Sequence, residues 1–365
     1  MKKILGLVLA IVFIISIVPV VGACHSKKPK GAVKISRVVQ SSNAVILATM
    51  NDDMPQGNTL WVGTFQIVWN EVVDNLIHHP IEFVGGTTKT AQNLNKKEFT
   101  KNDIGKNSYY TKYGIVSPKL KKEIEKGIKD KFNETSDILD AFDFTYSPMK
   151  MFFYAMLKKD FKFLEPFDKL SENVFGNVSN EKVNYFGIDS RSEGKLYKNV
   201  SVLFYNSSND YAVKLNTQTN DKVILYRTDD DKKFNEYFED IKVKDKTYNE
   251  RKYFGIYDRL KVPDISLYLT TNFPDVEGRE IKNSNFKIDQ TIETIDFKMN
   301  NEGVKLKSEA AIMMKATSAG GARPQIRYFY FDKKFILFLI EDGKDVPYYA
   351  MKVTDIAALN KTGRK

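Results

Sequence analysis

The chain has 365 residues, a formal net charge of +10, 42% hydrophobic residues and one cysteine. A chain of this length buries about three quarters of its unfolded surface, so it needs no disulfide to stay folded, and with a single thiol it forms none within itself. Acidic and basic residues alternate instead of segregating, only nine of the 56 basic residues are arginine, and no stretch is read as interleaving arginine with exposed aromatics, which speaks against a nucleic-acid surface.

At the N-terminus, Lys2 and Lys3 form a short positive head, and Ile4 to Val21 is an apolar run interrupted by Gly6, Ser16 and Pro19. That pattern predicts an export signal. The run ends in Val21, Gly22, Ala23 and Cys24, which resembles the lipobox of bacterial lipoproteins, where small residues precede a cysteine that is lipidated and becomes the new N-terminus. The resemblance implies a signal peptide over residues 1–23, a diacylglycerol on Cys24, a tether over 24–40, and a protein held by lipid on the extracytoplasmic face of the cell membrane. Lys27, Lys28 and Lys30 would then either meet anionic headgroups at about 1 kcal/mol each or belong to a tether that is simply flexible and charged. Two alternatives stay open: a plain secretory signal cut after Ala23, which would release a secreted protein, or an uncleaved anchor helix. The run lies near the lower end of the roughly 17 to 25 residues a spanning helix needs.

Residues 41–359 show no repeat, low-complexity linker or composition break and read as a single domain. Trp61, Phe65, Val68, Trp69, Val72 and Leu76 recur at helical spacing until Pro80, which predicts a helix with both tryptophans in the core. Ser117 and Pro118 predict a helix start, with Leu120, Ile124, Ile128 and Phe132 four apart behind it. Ser147 and Pro148 open a further stretch, Met149 to Phe161, apolar on most sides and read as a buried helix. From Asn180 the period changes to two. Val200 to Tyr205, Tyr211 to Leu215 and Val223 to Tyr226, separated by turn clusters, predict an antiparallel meander. A helix with Phe234, Tyr237, Phe238 and Ile241 on its apolar face follows, then strands at Lys261 to Thr270, Ile326 to Phe331, Phe335 to Ile340 and Tyr348 to Val353. A helical N-terminal half packed on mainly antiparallel sheets is an α+β arrangement.

Catalytic chemistry has little to stand on. His25 falls in the tether, and His78 and His79 are adjacent before Pro80, so on a regular element they point apart and cannot ligate one ion together. HExxH, GxSxG and phosphate-loop patterns are missing, so neither an enzyme, a metal site nor a cofactor is expected. Asp229 to Asp231 precede the Phe234 helix and are expected to serve its N-terminal amides and dipole.

Between Asn300 and Val353 the chain resembles the serpin family. Asn301, Glu302 and Gly303, shortly after Ile295 and Phe297, are similar to the opening of the serpin reactive-loop hinge, and Glu309, Ala310 and Ala311 to its alanine-rich stretch. Arg323 with Pro324, then Phe329, Phe331, Asp332 and Lys333, then Phe335 to Leu339 resemble the segment and Phe-rich strand that follow the loop, with Tyr349 to Val353 as the closing strand. The likeness covers roughly Met151 to Ile356; before it only helices align.

This resemblance implies a serpin-like fold, a monomer, and a target peptidase as partner. The hinge would comprise Glu302, Gly303, Val304, Leu306, Glu309, Ala310 and Ala311, and the reactive loop Lys315, Ala316, Thr317, Ser318, Ala319, Gly320, Gly321, Ala322 and Arg323. In inhibitory members a peptidase cleaves the loop and the hinge inserts into the main sheet as a new strand. Val304, Leu306, Ser308, Ala310, Ile312 and Met314 alternate as one insertable face, with Lys305, Lys307 and Glu309 on the other. Two departures leave the role open: Val304 replaces the usual Thr or Ser, and two lysines interrupt the alanines. The segment is therefore either an insertable loop of a serine or cysteine endopeptidase inhibitor, or a permanent strand of a non-inhibitory binding or structural lipoprotein. Counting from Gly303 puts the scissile bond near Thr317 and Ser318; aligning Glu309 puts it near Gly321 and Ala322. Pro324 disfavours a cut after Arg323.

Overall fold

The computed structural model describes residues 44–303 and 325–363 in full, and residues 7–17 by their backbone. Strand β1 (Leu7–Ile17) comes from the apolar N-terminal run itself. The chain resumes with β2 (Val45–Leu47) and β3 (Thr59–Val62), then α1 (Thr64–Val72), which runs on through one wide turn, Val73–Ile77, to a left-handed His78. Trp61 thus lies on β3 and not on the helix predicted for it, because the helical spacing begins only at Phe65. Both tryptophans are buried, as their expected core role requires.

Helix α2 (Lys89–Leu94) starts at Thr88, whose hydroxyl accepts the Ala91 N–H. After β4 (Tyr109–Val116) comes α3 (Pro118–Phe132), where the Ser117 hydroxyl accepts the Leu120 N–H at 3.2 Å and Leu120, Ile124 and Ile128 are buried, as the sequence predicts.

The buried helix expected over Met149 to Phe161 is instead a strand, β5 (Ser147–Lys159). Strands covered on both faces carry continuous apolar runs, which periodicity cannot tell from a buried helix. Phe152, Tyr154 and Met156 pack with α3, and Phe153, Ala155 and Leu157 face the main core. The helical character of the N-terminal half is correspondingly smaller than expected, while the α+β class stands.

Next come β6 (Asp168–Val174), β7 (Lys182–Ile188) and the predicted meander, β8 (Val200–Ser207), β9 (Asp210–Asn216) and β10 (Asp221–Arg227). Helix α4 (Phe234–Thr247) buries Phe234, Tyr237, Phe238 and Ile241. The aspartates before it do not serve its amides. Asp229, Asp230 and Asp231 pair with Arg227, Lys232 and Lys334, and the Glu236 carboxylate takes the Lys233 N–H. The single strand expected at Lys261 to Thr270 divides at Asp264 into β11 (Asp258–Pro263) and β12 (Ile265–Thr271). The chain ends with β13 (Phe286–Met299), β14 (Arg327–Tyr330), β15 (Phe335–Glu341), β16 (Tyr349–Val353) and α5 (Ile356–Asn360).

These strands make three sheets, in the orders β12-β13-β1-β5-β4, β2-β3-β16-β15-β10-β9-β8 and β14-β11-β7-β6. Pairing is antiparallel except at β2 with β3 and β11 with β14. Among the described residues no helix is long and apolar enough to cross a membrane.

Candidate functional site

The site is the strand-wide gap between β5 and β13 that β1 occupies in the five-stranded sheet, together with Gly303 and Arg327, which flank residues 304–324 in the sequence. β1 pairs antiparallel with β13 on one side and with β5 on the other, so β5 and β13 run in the same direction and stand one strand apart. Leu9 lies opposite Ile295 and Leu157, Ile11 opposite Glu293 and Ala155, and Phe13 opposite Thr291 and Phe153. One wall face, Phe153, Ala155, Leu157, Ile295 and Phe297, belongs to the main core; the other, Phe152, Tyr154, Met156 and Ile292, packs with α3. Whatever fills the slot is therefore covered on both sides.

Glu302 and Gly303 occupy the turn that follows β13. Asn300 Oδ1 accepts the Glu302 N–H at 3.0 Å, while the Asn301 carbonyl and side-chain amide bracket the backbone of Phe167 at 2.8 and 3.1 Å. Gly303 has a φ of +58°, and a Cβ there would stand 2.5 Å from Lys162 Cα and 2.6 Å from Phe163 N. Only glycine fits both the left-handed backbone and the approach.

The remaining predicted site residues, Val304, Leu306, Glu309, Ala310 and Ala311 of the hinge, Lys315 to Arg323 of the loop, and Cys24, lie outside the described residues. The chain returns in another sheet. Arg327 opens β14 with a bidentate contact to the fully buried Asp258, Nε to Oδ1 at 2.9 Å and Nη2 to Oδ2 at 3.0 Å, and donates further to the carbonyls of Arg251 and Tyr253. Burial works against the charge on Arg327, yet the hydrogen bonds and charge of Asp258 hold the guanidinium pKa above its ordinary value. Residues 304–324 thus connect two firmly anchored points, one at the end of β13 and one at the start of β14.

Sequence reasoning missed one residue of the slot wall. Glu293 is completely buried on the same strand face as Ile295, and among the described residues neither carboxylate oxygen has a hydrogen-bond partner. Burial pushes its carboxyl well above the usual carboxylate range. A signal was present: Thr291, Glu293, Ile295 and Phe297 alternate on one face, and a lone carboxylate at an inward position of such a run marks a buried titratable group.

No family model and no curated protein matches the sequence. Among solved structures the chain is similar to maspin, with a TM-score of 0.50 and 12% identity over 82% of this chain and 92% of that one. It is also similar to Serpin48, a highly specific serpin of the insect Tenebrio molitor, at a TM-score of 0.47 and 11% identity over 82% and 92% of the two chains. Thyroxine-binding globulin in complex with thyroxine aligns at a TM-score of 0.41 and 12% identity over 65% of each chain. At such identities the likeness is one of fold, and the fold is a divergent serpin-like α+β fold.

Proposed function

We propose that this protein is a peptidase inhibitor of serpin-like fold, monomeric and free of cofactors, held by a lipid on Cys24 at the extracytoplasmic face of the membrane. The observation that carries the reading is that β5 and β13 stand one strand apart, so that removal of β1 would leave a slot between them, and that the chain after β13 passes through the pinned turn at Gly303. A segment that turned back at Gly303 beside β13 would run antiparallel to it, in the direction β1 takes. In a tight return it would set Leu306, Ser308, Ala310 and Ile312 against Phe297, Ile295, Glu293 and Thr291, on the core side.

In this mechanism a serine or cysteine peptidase attacks a carbonyl in the loop, near Thr317 or near Gly321. The acyl bond to the enzyme forms as the peptide bond breaks, and the amine leaves on the downstream fragment. Freed at that end, the hinge side enters the slot. Each Val, Leu, Ile or Met it buries stabilises the product by about 1.5 to 3 kcal/mol, which is the driving force that displaces and distorts the attached peptidase.

A second reading is favoured by the coverage of the slot. The same return sets Lys305 and Lys307 on the face that α3 covers, where Phe152, Tyr154 and Met156 are buried. Burying those ammonium groups is costly unless they are paired. That favours a binding or structural lipoprotein that retains the fold without insertion. Thermal melting by circular dichroism before and after limited proteolysis of the loop separates the two. Inhibition requires a large rise in melting temperature after cleavage and a covalent complex that survives detergent. A nicked chain that melts where the intact one does sinks the inhibitor reading.

A further inference from the structure

We infer that the N-terminal segment, for as long as it stays attached, is an autoinhibitory strand: Leu7–Ile17 fills the slot between β5 and β13, and its removal is what opens the sheet. The argument starts from pairing. Val8 to Ile17 pair with Phe286 to Asp296 of β13, with one register shift between Ile14 and Ile15 that leaves Asp289 without a direct partner, and Leu7 to Ser16 pair in register with Lys150 to Lys159 of β5, so β1 is a full central strand and not an edge strand. Its backbone groups are used alternately on the two sides, as a central antiparallel strand requires.

Composition explains why this segment fits. A strand between two others, with a core under one face and α3 over the other, must be apolar throughout. LVLAIVFIISI is apolar at all but one position. The property that makes the run an export signal therefore also suits it to a central strand. It is covalently attached as well, so its effective concentration at the slot is on the order of millimolar, which a free competing peptide would have to exceed.

Occupancy of the slot is exclusive. Both inner edges of β5 and β13 are consumed by β1, so the segment after Gly303 cannot pair with them at the same time. An unprocessed chain is held in the filled-sheet state, and processing after Ala23 converts it to the open one. The consequence for inhibition rests on the proposed function, whereas the filling itself does not.

The experiment compares three full-length chains: unsubstituted, Val12→Pro, and Lys28→Pro as a control in the tether. Proline cannot donate in the ladder and is excluded from central strands, whatever direction its side chain takes. Hydrogen exchange over 147–159 and 286–299 and the melting temperature are measured. We expect Val12→Pro to exchange at least about tenfold faster in both strands and to melt lower, with Lys28→Pro unchanged and a synthetic Leu7–Ile17 peptide restoring protection. Equal protection in all three chains would overturn the inference. Should Val12→Pro fail to fold, a peptidase site placed in residues 25–30 and cut after folding gives the same comparison, and unchanged exchange after release of the N-terminal fragment overturns it equally. The two readings fail separately. Lost protection without any peptidase complex sinks the inhibitor and leaves β1 as a strand that fills the sheet, whereas a peptidase complex with unchanged protection keeps the inhibitor and overturns the filling.

Discussion

Lys159, the last residue of β5, places its ammonium 2.9 Å from the Asp221 carboxylate, and Glu341 meets the same ammonium from the neighbouring strand. Asp221 and Glu341 are direct cross-strand partners, so the lysine is what separates two buried carboxylates. Tyr348 donates its hydroxyl to Asp221 at 3.0 Å and Gly105 its N–H to Glu341 at 3.0 Å. One side chain thereby ties the wall of the slot to the seven-stranded sheet. Lys159→Met should cost about 3 to 5 kcal/mol at neutral pH, because it leaves uncompensated buried charge. The pH dependence gives the sign. Burial acts to raise the Glu341 pKa, but Lys159 and the Gly105 N–H hold it below the ordinary value. Its stabilisation is therefore present above the unfolded carboxylate pKa and lost as pH falls through the lower folded one. Urea unfolding should show the deficit of Lys159→Met shrinking in acid, where the Glu341 carboxylate is neutralised. A deficit that grows in acid contradicts the assignment.

The constraint at Gly303 can be measured by difference. Gly303→Ala and Gly278→Ala both place a side chain at positive φ, +58° and +73°, but only at Gly303 would the Cβ strike backbone, while at Gly278 nothing lies within 4 Å. Positive φ alone costs on the order of 1 to 3 kcal/mol. Gly303→Ala should be the more destabilising in denaturant unfolding, since the Lys162–Phe163 backbone must shift as well. Equal losses would show that the turn yields freely.

How far the fold could be read from the sequence depended on how local each signal was. Ser117 with Pro118, the apolar face of α4 and the turn clusters of the meander are all decided within a few residues, and they appear where expected. β5 was misread because coverage on both faces erases the period-two pattern. Trp61 was drawn into a helix by accidental spacing, and the break at Asp264 sends β11 and β12 to different sheets without any local mark. At the site, Asn301, Glu302 and Gly303 were legible only as a resemblance to the opening of a hinge after Ile295 and Phe297, and the structure places them in the turn after β13. The slot was not, because it is made by strands from residues 147–159 and 286–299, which are brought together only by the whole fold. Nor does any rule of composition separate an export signal from a central strand.

Glu293 offers a test of the slot wall by pH. Its carboxyl is raised by burial, with no compensating partner among the described residues, so as pH rises above the unfolded pKa the unfolded state releases its proton first and the folded state loses stability until the folded pKa is passed. Each unit of upward shift corresponds to about 1.4 kcal/mol. Glu293→Gln keeps the shape and cannot ionise. It should be more stable than the unsubstituted protein at neutral pH and nearly equal to it at pH 4, by urea unfolding. A substitution that destabilises at both pH values would mean that Glu293 is ionised and paired.

Cys24 decides the anchor. Cys24→Ala should lose lipid labelling and leave the membrane fraction, because acylation at this thiol is the proposed durable attachment. A Cys24→Ala protein that stays wholly membrane-bound would instead make the N-terminal run an uncleaved anchor, and the proposed lipidation would fall with it.

The last prediction separates inhibitor from passive binder and uses the processed protein, in which β1 is gone. If the segment after Gly303 inserts, Leu306 comes to face the core beside Phe297, where an unpaired carboxylate costs several kcal/mol or forces its own protonation. Lys305 falls on the opposite face beside Lys298, which is half-buried and would meet a new carboxylate as a partner. Leu306→Asp should therefore fold like the unsubstituted protein, yet lose both the gain in melting temperature on loop cleavage and any covalent peptidase complex. Lys305→Asp should keep both. The pair controls for general damage, since each variant introduces the same group one residue apart. If Leu306→Asp does not fold at all, the segment already belongs to the native sheet, insertion has nothing left to do, and the non-inhibitory reading is the one that survives.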